Sequence, residues 1–378
     1  MIDIVVPAYR GLAQTRTCLE SVLANPQRAN FELVVVDDAS PEPALSAWLG
    51  EMAAAGRITL LRNESNRGFV QSVNRGMALH PDRDVVLLNS DTEVANDWLD
   101  RLVTALERDE KIATVTPLSN NATICSYPFE GWPDGLPGTL GLAGLDRVVA
   151  AANPGRAIEL PTAVGFCMLI ARRALAQLGL FDAARFGRGY GEENDFCMRA
   201  MKAGWKHVLA ADVFVYHEGS VSFSEERFAL IKTATAALLE AHPDYPTHVH
   251  AFLRRDPAAP LRAAIDQARA AHGTDEARCV IDERAMERER LLAGLWQIEK
   301  LAEERDGAIS QLDHALQHAT AHISERDRLL AQREAEIEAL RQGLAHAESL
   351  AFAREAELTQ IKRSRMWAWA QRLRRFAS

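Results

Sequence analysis

Ile2-Asp3-Ile4-Val5-Val6-Pro7, and Phe31-Glu32-Leu33-Val34-Val35-Val36 running into Asp37-Asp38, decide the fold. Both stretches are short, β-branched and mostly apolar, and Thr15 to Leu23 between them reads as an amphipathic helix with Thr15 as its N-cap. The pattern then repeats. Pro43 to Ala55 can be helical, Ile58 to Leu61 is a third strand, and Phe69 to Leu79 is a helix. Asp84 to Leu88 is a fourth strand ending at Asn89-Ser90-Asp91, followed by a helix over Asp97 to Asp109 and a fifth strand over Ile112 to Thr116. Strands apolar along their length are covered on both faces, so this alternation predicts an α/β fold with a parallel sheet. Ligands of such sheets bind outside the carboxyl ends of the strands, where both acidic clusters fall.

Beyond the fifth strand the texture changes. Ser119 to Pro161 reads as a long loop rich in Gly, Pro and Asn, with Trp132 in its middle. An apolar segment, Ala163 to Ala171, leads into a helix from Arg172. A glycine-rich turn (Gly187, Gly189, Gly191) precedes Glu192-Glu193-Asn194-Asp195 and a helix over Phe196 to Ala203. Val208 to Tyr216 is a further strand, ending at His217.

The last third is a different kind of chain. All 15 prolines lie within residues 1–260, and Arg254 to Gly273 reads as an Ala/Arg/Pro linker. From about Ile281 to Ile361 the composition is that of a long helix. Leu295, Ala302, Ile309, Leu316, Ile323, Leu330, Ile337, Leu344, Ala351 and Leu358 recur every seven residues. Three residues on, Ile298, Leu312, Leu340 and Ile361 are apolar, while Arg305, Arg326, Arg333 and Arg354 are not. The period predicts a coiled coil, and so a homo-oligomer, with strand number and register left open by the arginines. Some 80 helical residues would make a rod of about 120 Å. The expected division is therefore a catalytic domain over 1–253 (halves 1–118 and 119–253), a linker over 254–280, a coiled coil over 281–361 and a basic tail over 362–378. A chain ended near Cys279 is expected to keep the catalytic domain folded.

Composition narrows the function classes. The 378 residues carry 43 Lys+Arg against 52 Asp+Glu, a net charge of −9, which argues against nucleic acid as a partner. No apolar run approaches the ~18–20 residues of a membrane span, and Met1-Ile2-Asp3-Ile4 lacks a basic signal region, so a cytoplasmic location is expected. The five cysteines include no CxxC spacing, which fits free thiols in a reducing compartment. In the tail, Met366, Trp369, Leu373 and Phe376 share one helix face. Trp367 borders it, and Lys362, Arg363, Arg365, Arg372, Arg374 and Arg375 add positive charge. Such a helix suits the headgroup region of an anionic membrane, and equally a frayed terminus or a docking helix for a partner protein.

Two acidic clusters at strand ends, a later carboxylate pair and a histidine are what a metal-assisted diphosphate site needs. A divalent cation takes hard oxygen ligands and neutralises charge on a departing diphosphate, and an attacking hydroxyl needs a carboxylate base. A nicotinamide-dependent reductase would need GxGxxG directly after the first strand, where Pro7-Ala8-Tyr9-Arg10-Gly11 stands instead. No Walker motif occurs.

Ile4-Val5-Val6-Pro7-Ala8-Tyr9, Val35-Val36-Asp37-Asp38-Ala39-Ser40, Asn66-Arg67-Gly68-Phe69 with Asn74-Arg75-Gly76, and Asn89-Ser90-Asp91-Thr92-Glu93 resemble, in that order, the motifs of family 2 inverting glycosyltransferases. Gly189-Tyr190-Gly191-Glu192-Glu193-Asn194-Asp195 and Val215-Tyr216-His217 look like that family's second half, within a rhamnosyltransferase-like subgroup of bacterial surface-polysaccharide synthesis. The resemblance covers about two thirds of the chain. It implies the A-type glycosyltransferase fold, a Rossmann-like nucleotide half joined to an acceptor half, and a nucleotide-diphosphate sugar donor with a glycan or lipid-linked acceptor.

Carried over residue by residue, the resemblance implies that Pro7, Ala8 and Tyr9 line the nucleotide pocket. Asp38 accepts a hydrogen bond from the base, or else caps a turn with Asp37. Arg67, Gly68 and Asn74 border base and ribose, and Asn89 and Ser90 contact ribose or phosphate. Asn89 replaces the first acid of the family's DxD motif, so Mg²⁺ or Mn²⁺ rests mainly on Asp91, with His217 as a further ligand, a diphosphate contact or a structural residue. Glu193 is the implied base, with Asp195 and Glu192 as competitors. Trp132, Gly165 and Glu192 shape the acceptor side, loop packing being the other reading of Trp132. The non-enzyme alternative is a sugar- or nucleotide-binding assembly protein that scaffolds a complex through its coiled coil. With a lipid-linked acceptor, the basic tail would hold the chain peripherally on the inner face of the cell membrane.

Overall fold

A computed structural model describes residues 1–378 except 134, 188, 220–224, 364, 365, 367, 368, 371 and 373–378, and of 225–229 the backbone alone. The chain divides into two units, Met1–Glu289 and Arg290–Ser378. The first unit opens β1 (Ile2–Ala8), α1 (Leu12–Ala24), β2 (Phe31–Asp37), α2 (Pro43–Ala54), β3 (Thr59–Arg62), α3 (Phe69–Met77), β4 (Asp84–Leu88), β5 (Thr92–Glu93), α4 (Trp98–Leu106) and β6 (Ile112–Leu118). It continues with α5 (Gly141–Ala152), β7 (Ala157–Leu160), β8 (Cys167–Ile170), α6 (Arg172–Leu178), α7 (Ala183–Phe186), α8 (Glu192–Lys202), β9 (Lys206–Phe214) and β10 (Tyr216–His217). Four helices follow: α9 (Glu225–Ala241), α10 (Tyr245–Arg255), α11 (Ala259–Ala270) and α12 (Thr274–Arg363).

One sheet of eight strands, ordered β3-β2-β1-β4-β8-β6-β9-β7, forms the frame. β1 to β4 are parallel, as their continuous apolar runs predict, and Val5, Val35, Val86 and Leu169 at its centre are fully buried. Burying each such side chain is worth about 1.5–3 kcal/mol. β8 enters antiparallel between β4 and β6, pairing Leu88 with Cys167 at the carboxyl end of β4. A separate two-stranded ribbon pairs β10 with β5, His217 opposite Thr92. The expected α/β class followed by a long helix is what the structure has.

Several expectations are corrected. α1 starts at Leu12, not at Thr15, which is buried within it. The cap comes from elsewhere: the Glu42 carboxylate accepts from the N–H groups of Gly11 and Leu12 at 3.2 Å, and Gly11 sits at φ 88°. The presumed loop 119–161 holds a 3₁₀ turn, α5 and β7. Leu145 and Val149 of α5 are buried and pack toward β9, though Gly141 and Gly144 dilute the helix signal. The Asn74-Arg75-Gly76 motif is architectural: a Cβ on Gly76 would collide with Val5 Cγ1, so only glycine lets α3 lie on β1.

The expected linker over 254–280 is also corrected. α11 packs on α5 with Leu261 and Ile265 buried, and the compact unit runs to Glu289 rather than ending at 253. Ala/Arg/Pro composition hides a helix whose apolar face is only two residues deep. Arg269 is fully buried there. It bonds Glu276 at 2.6 Å, forks onto Glu283 at 2.6 and 2.7 Å, and donates to Tyr127 Oη at 2.9 Å. Tyr127 Oη in turn donates to Asp266, which Arg284 holds at 2.7 and 3.0 Å. The first turns of α12 are thus part of the first unit.

The described residues of the second unit are helical, and their apolar stripe faces solvent. Met366 and Trp369 of the tail are exposed, while Arg365, Trp367, Leu373, Arg374, Arg375 and Phe376 lie outside the described residues. No helix among the described residues is long and apolar enough to cross a membrane.

A chain ended after Glu289 should fold. One ended at Cys279 loses Glu283 and leaves Arg269 with half its ion pairs, a cost of about 3–5 kcal/mol. Thermal melting of the two checks this, and equal midpoints would contradict the role of the Arg269 network.

Candidate active site

The carboxyl ends of β1, β2 and β4 open into a cleft of about 760 Å³. Of the residues expected there, it brings together Pro7, Ala8, Tyr9, Asp38, Gly68, Asn89, Ser90 and Asp91. Among the described residues its charged lining is Arg10 against Asp38, Asp91 and Glu218. Asp38, 4 % exposed, builds the floor: its carboxylate accepts from Asn63 Nδ2 at 2.7 Å and from the N–H groups of Arg67 and Gly68 at 2.8 and 2.9 Å. Three bonds leave one lone pair on Oδ2 for a ligand. Asp37 is taken by Ser40 N–H and Ser46 Oγ, which is turn capping.

Asp91 follows β4 and meets His217 on the β5–β10 ribbon, Oδ1 to Nε2 at 3.4 Å. Burial pushes both groups toward neutrality, but each holds the other charged, so Asp91 lies below the usual carboxylate range and His217 above the usual imidazole value. His217 Nδ1 sits 2.8 Å from the Asn121 carbonyl, an acceptor only, so Nδ1 carries a proton and Nε2 is the atom turned to Asp91. Ligand atoms about 3 Å apart can share one divalent ion at ~2.1 Å from each, and the carboxylate–imidazole donor set fits Mg²⁺ or Mn²⁺.

Phe166 stacks on the His217 ring, 5.2 Å between centroids at 17°, and its carbonyl accepts from Asn89 N–H at 2.8 Å. Its neighbour Gly165 packs on Glu193, where an added Cβ would meet Cγ at 3.7 Å. One turn therefore touches the Asp91–His217 pair on one side and the carboxylate pair at the start of α8 on the other. Glu192 is buried, its Oε2 has no partner among the described residues, and burial plus the charge of Glu193 raises it well above the usual range. Burial also raises Glu193, against the opposing pull of helix N-terminal N–H groups and of Asn194 Nδ2 at 3.0 Å. Both carboxyls are thus raised, Glu192 the more strongly of the two.

Other expectations are corrected. Asp195 is 2 % exposed and committed to Arg199 at 2.8 Å and His242 at 2.8 Å, so it ties α8 to the turn after α9 and does not line the cleft. Asn74 does not border a nucleotide: its Nδ2 and Oδ1 bond the Phe181 carbonyl and N–H. Arg67 contributes its backbone, and its side chain is exposed outside the cleft lining. Trp132 donates to the Gly135 carbonyl and packs edge-on against Phe129, the loop-packing alternative. Glu192, Glu193 and Gly165 lie behind the Phe166 turn and are not cleft-lining residues.

A second group that could hold a cation, Asp3, Glu32 and His80, sits at the opposite ends of β1 and β2. Arg83 already bridges Asp3 at 3.0 Å and Glu32 at 2.6 Å, so its charge is met without a metal.

Sequence reasoning missed Tyr190 and Glu218, and gave the Gly165-Phe166 segment a part in shaping the acceptor side. Tyr190 lines the cleft at φ 72°, an uncommon conformation for a non-glycine residue between two glycines. The Gly-Tyr-Gly spelling was the available signal. Glu218 enters the cleft because its N–H bonds the Asp91 carbonyl at 3.0 Å.

"Uncharacterized protein y4gI" of Sinorhizobium fredii is 24 % identical over 242 residues, 60 % of this chain and 25 % of that protein. Polypeptide N-acetylgalactosaminyltransferase 4 of Caenorhabditis elegans is 25 % identical over 217 residues, 53 % of this chain and 35 % of its own. The chain thus spans about a quarter to a third of these relatives. Among solved structures, that of GalNAc-T7 with UDP, GalNAc and Mn²⁺ aligns at 20 % identity and a TM-score of 0.49, covering 76 % of this chain and 57 % of that one. The profile of the family described as glycosyl transferase family 2 matches residues 3–179, the segment that holds β1 to β4 and the Asn89-Ser90-Asp91 turn.

Proposed function

We propose that the chain is an inverting, metal-dependent hexosyl- or deoxyhexosyltransferase. It moves a sugar from a nucleotide-diphosphate donor to a hydroxyl of a glycan or lipid-linked acceptor in bacterial surface-polysaccharide synthesis. The observation that carries this is Asp91 in an acid-lined cleft, paired with His217 beside it, with the carboxylates of α8 behind the Phe166 turn. Three acids against Arg10 repel a diphosphate unless a cation intervenes. A cation held by Asp91 and His217 would bind the diphosphate and stabilise the charge it carries away.

The rest of the reading belongs to the chain's own groups. Pro7, Ala8, Tyr9 and the Asp38 floor hold the nucleoside, the free lone pair of Asp38 taking a base N–H. Asn89 and Ser90 orient ribose and phosphate. Glu193 takes the proton from the acceptor hydroxyl as that oxygen bonds the anomeric carbon and the bond to the diphosphate oxygen breaks. Glu192, protonated and buried beside it, keeps the pair singly charged. A panel of nucleotide-sugars tested for hydrolysis with Mg²⁺ or Mn²⁺ decides the matter. Turnover of one donor supports the reading, and binding of a donor without turnover of any favours the assembly protein.

Asp91→Asn should remove most activity with little loss of thermal stability, because a strand-end acid adds little to the core. Near-native turnover at saturating metal would refute its role. Glu193→Gln should lower kcat about 10²–10⁴-fold while donor affinity survives. The native rate should fall with acid at a pH above the usual carboxylate range, because protonation of Glu193 removes the base, and the variant should lack that limb. An unchanged acid limb in Glu193→Gln would assign the base elsewhere.

A further inference from the structure

In the second unit, Ile309, Leu316, Ile323, Leu330, Ile337 and Leu344 fall seven residues apart on α12 and are each 49–66 % exposed. With these as position a of a heptad, position d is arginine at 305, 326, 333 and 354. In each of those four heptads the next residue, position e, is an acid: Asp306, Asp327, Glu334 and Glu355. Where d is apolar, e is an acid at Glu299, Asp313 and Glu348 and is not at Thr320, Arg341 and Lys362. Within one chain the arginines are served unevenly. Arg305 bonds Asp306 at 2.8 Å and Arg333 bonds Glu336 at 2.9 Å, while Arg326 and Arg354 have no ion-pair partner among the described residues.

We propose that this stripe is covered by a second copy of the same helix, parallel and in register, as a two-stranded coiled coil. In that arrangement a d side chain enters a hole walled by the partner's d and e residues. Each seam arginine then meets the acid that follows its own counterpart, and two-fold symmetry makes every pair twice. An antiparallel partner would instead set the e columns against each other. With Glu299, Asp306, Asp313, Asp327, Glu334, Glu348 and Glu355 in that column, most of these acids would then face acids, a like-charge seam. Two strands follow from the arginines, whose stems reach water from a two-stranded seam but would be enclosed by three.

The test uses the full chain and needs no sugar transfer, so it stands or falls apart from the proposed activity. Ala302→Cys and Ala351→Cys, small residues at a positions near the two ends, are oxidised separately, with the native chain as control for Cys279. Parallel in-register pairing predicts a disulfide-linked dimer from each variant alone. Cross-linking only when the two variants are mixed, or by neither, overturns the proposal. Sedimentation equilibrium then reads the pairing itself. Arg326→Glu with Arg333→Glu should weaken the dimer about tenfold or more, and adding Asp327→Arg with Glu334→Arg should restore it. An unchanged dimer, or no restoration, removes the arginine–acid seam.

Discussion

The site depends on β8 pairing antiparallel with β4. That ladder runs to Leu88–Cys167, and the next hydrogen bond, Asn89 N–H to the Phe166 carbonyl, carries it past the strand end. It fixes the Gly165–Phe166 turn beside Asn89-Ser90-Asp91. From that one register follow the stacking of Phe166 on His217 and the packing of Gly165 on Glu193. A slip of one residue would turn every side chain of β8 to the other face and separate the cation pair from the carboxylates. The β1–β4 part of the sheet and the β6–β9 part are therefore joined by backbone geometry, and the candidate site lies where they join.

Around that joint, acids are sorted by environment more than by residue type. Asp37 and Asp38 are both buried, yet one caps a turn and the other builds the cleft floor with a lone pair to spare. Glu192, Glu193 and Asp195 share one helix turn, but Asp195 is bonded to Arg199 and His242 while the two glutamates are both raised by burial. Fixing Asp195 also fixes the start of α8, and with it Glu193.

The β1–β4 part of the fold was legible in the sequence because each of its strands is one apolar run with a helix before the next, and Asp84–Leu88 was read to the residue. Its strand-end acids were legible for the same reason. What was not legible came from partners distant in sequence. Nothing in Asn74-Arg75-Gly76 says that its asparagine bonds Phe181, 107 residues on, or that its glycine makes room for Val5. Asp195 looked like a rival base because His242 lies 47 residues away. The helices within 254–280 were missed because alanine and arginine carry little periodic signal, and because Arg269 there is buried, which composition would not suggest. The heptad was plain, since a period of seven survives any surface composition.

The central claim is that Asp91 and His217 together hold one cation for the diphosphate. Titration of Mn²⁺ into the full chain with a nucleoside diphosphate present, read by electron paramagnetic resonance, tests it most directly. The account predicts one Mn²⁺ per chain, with Asp91→Asn and His217→Ala each losing that binding and the double variant no worse than either. Binding that survives both changes, or that is lost instead on Asp3→Asn at the opposite edge of the sheet, would contradict it.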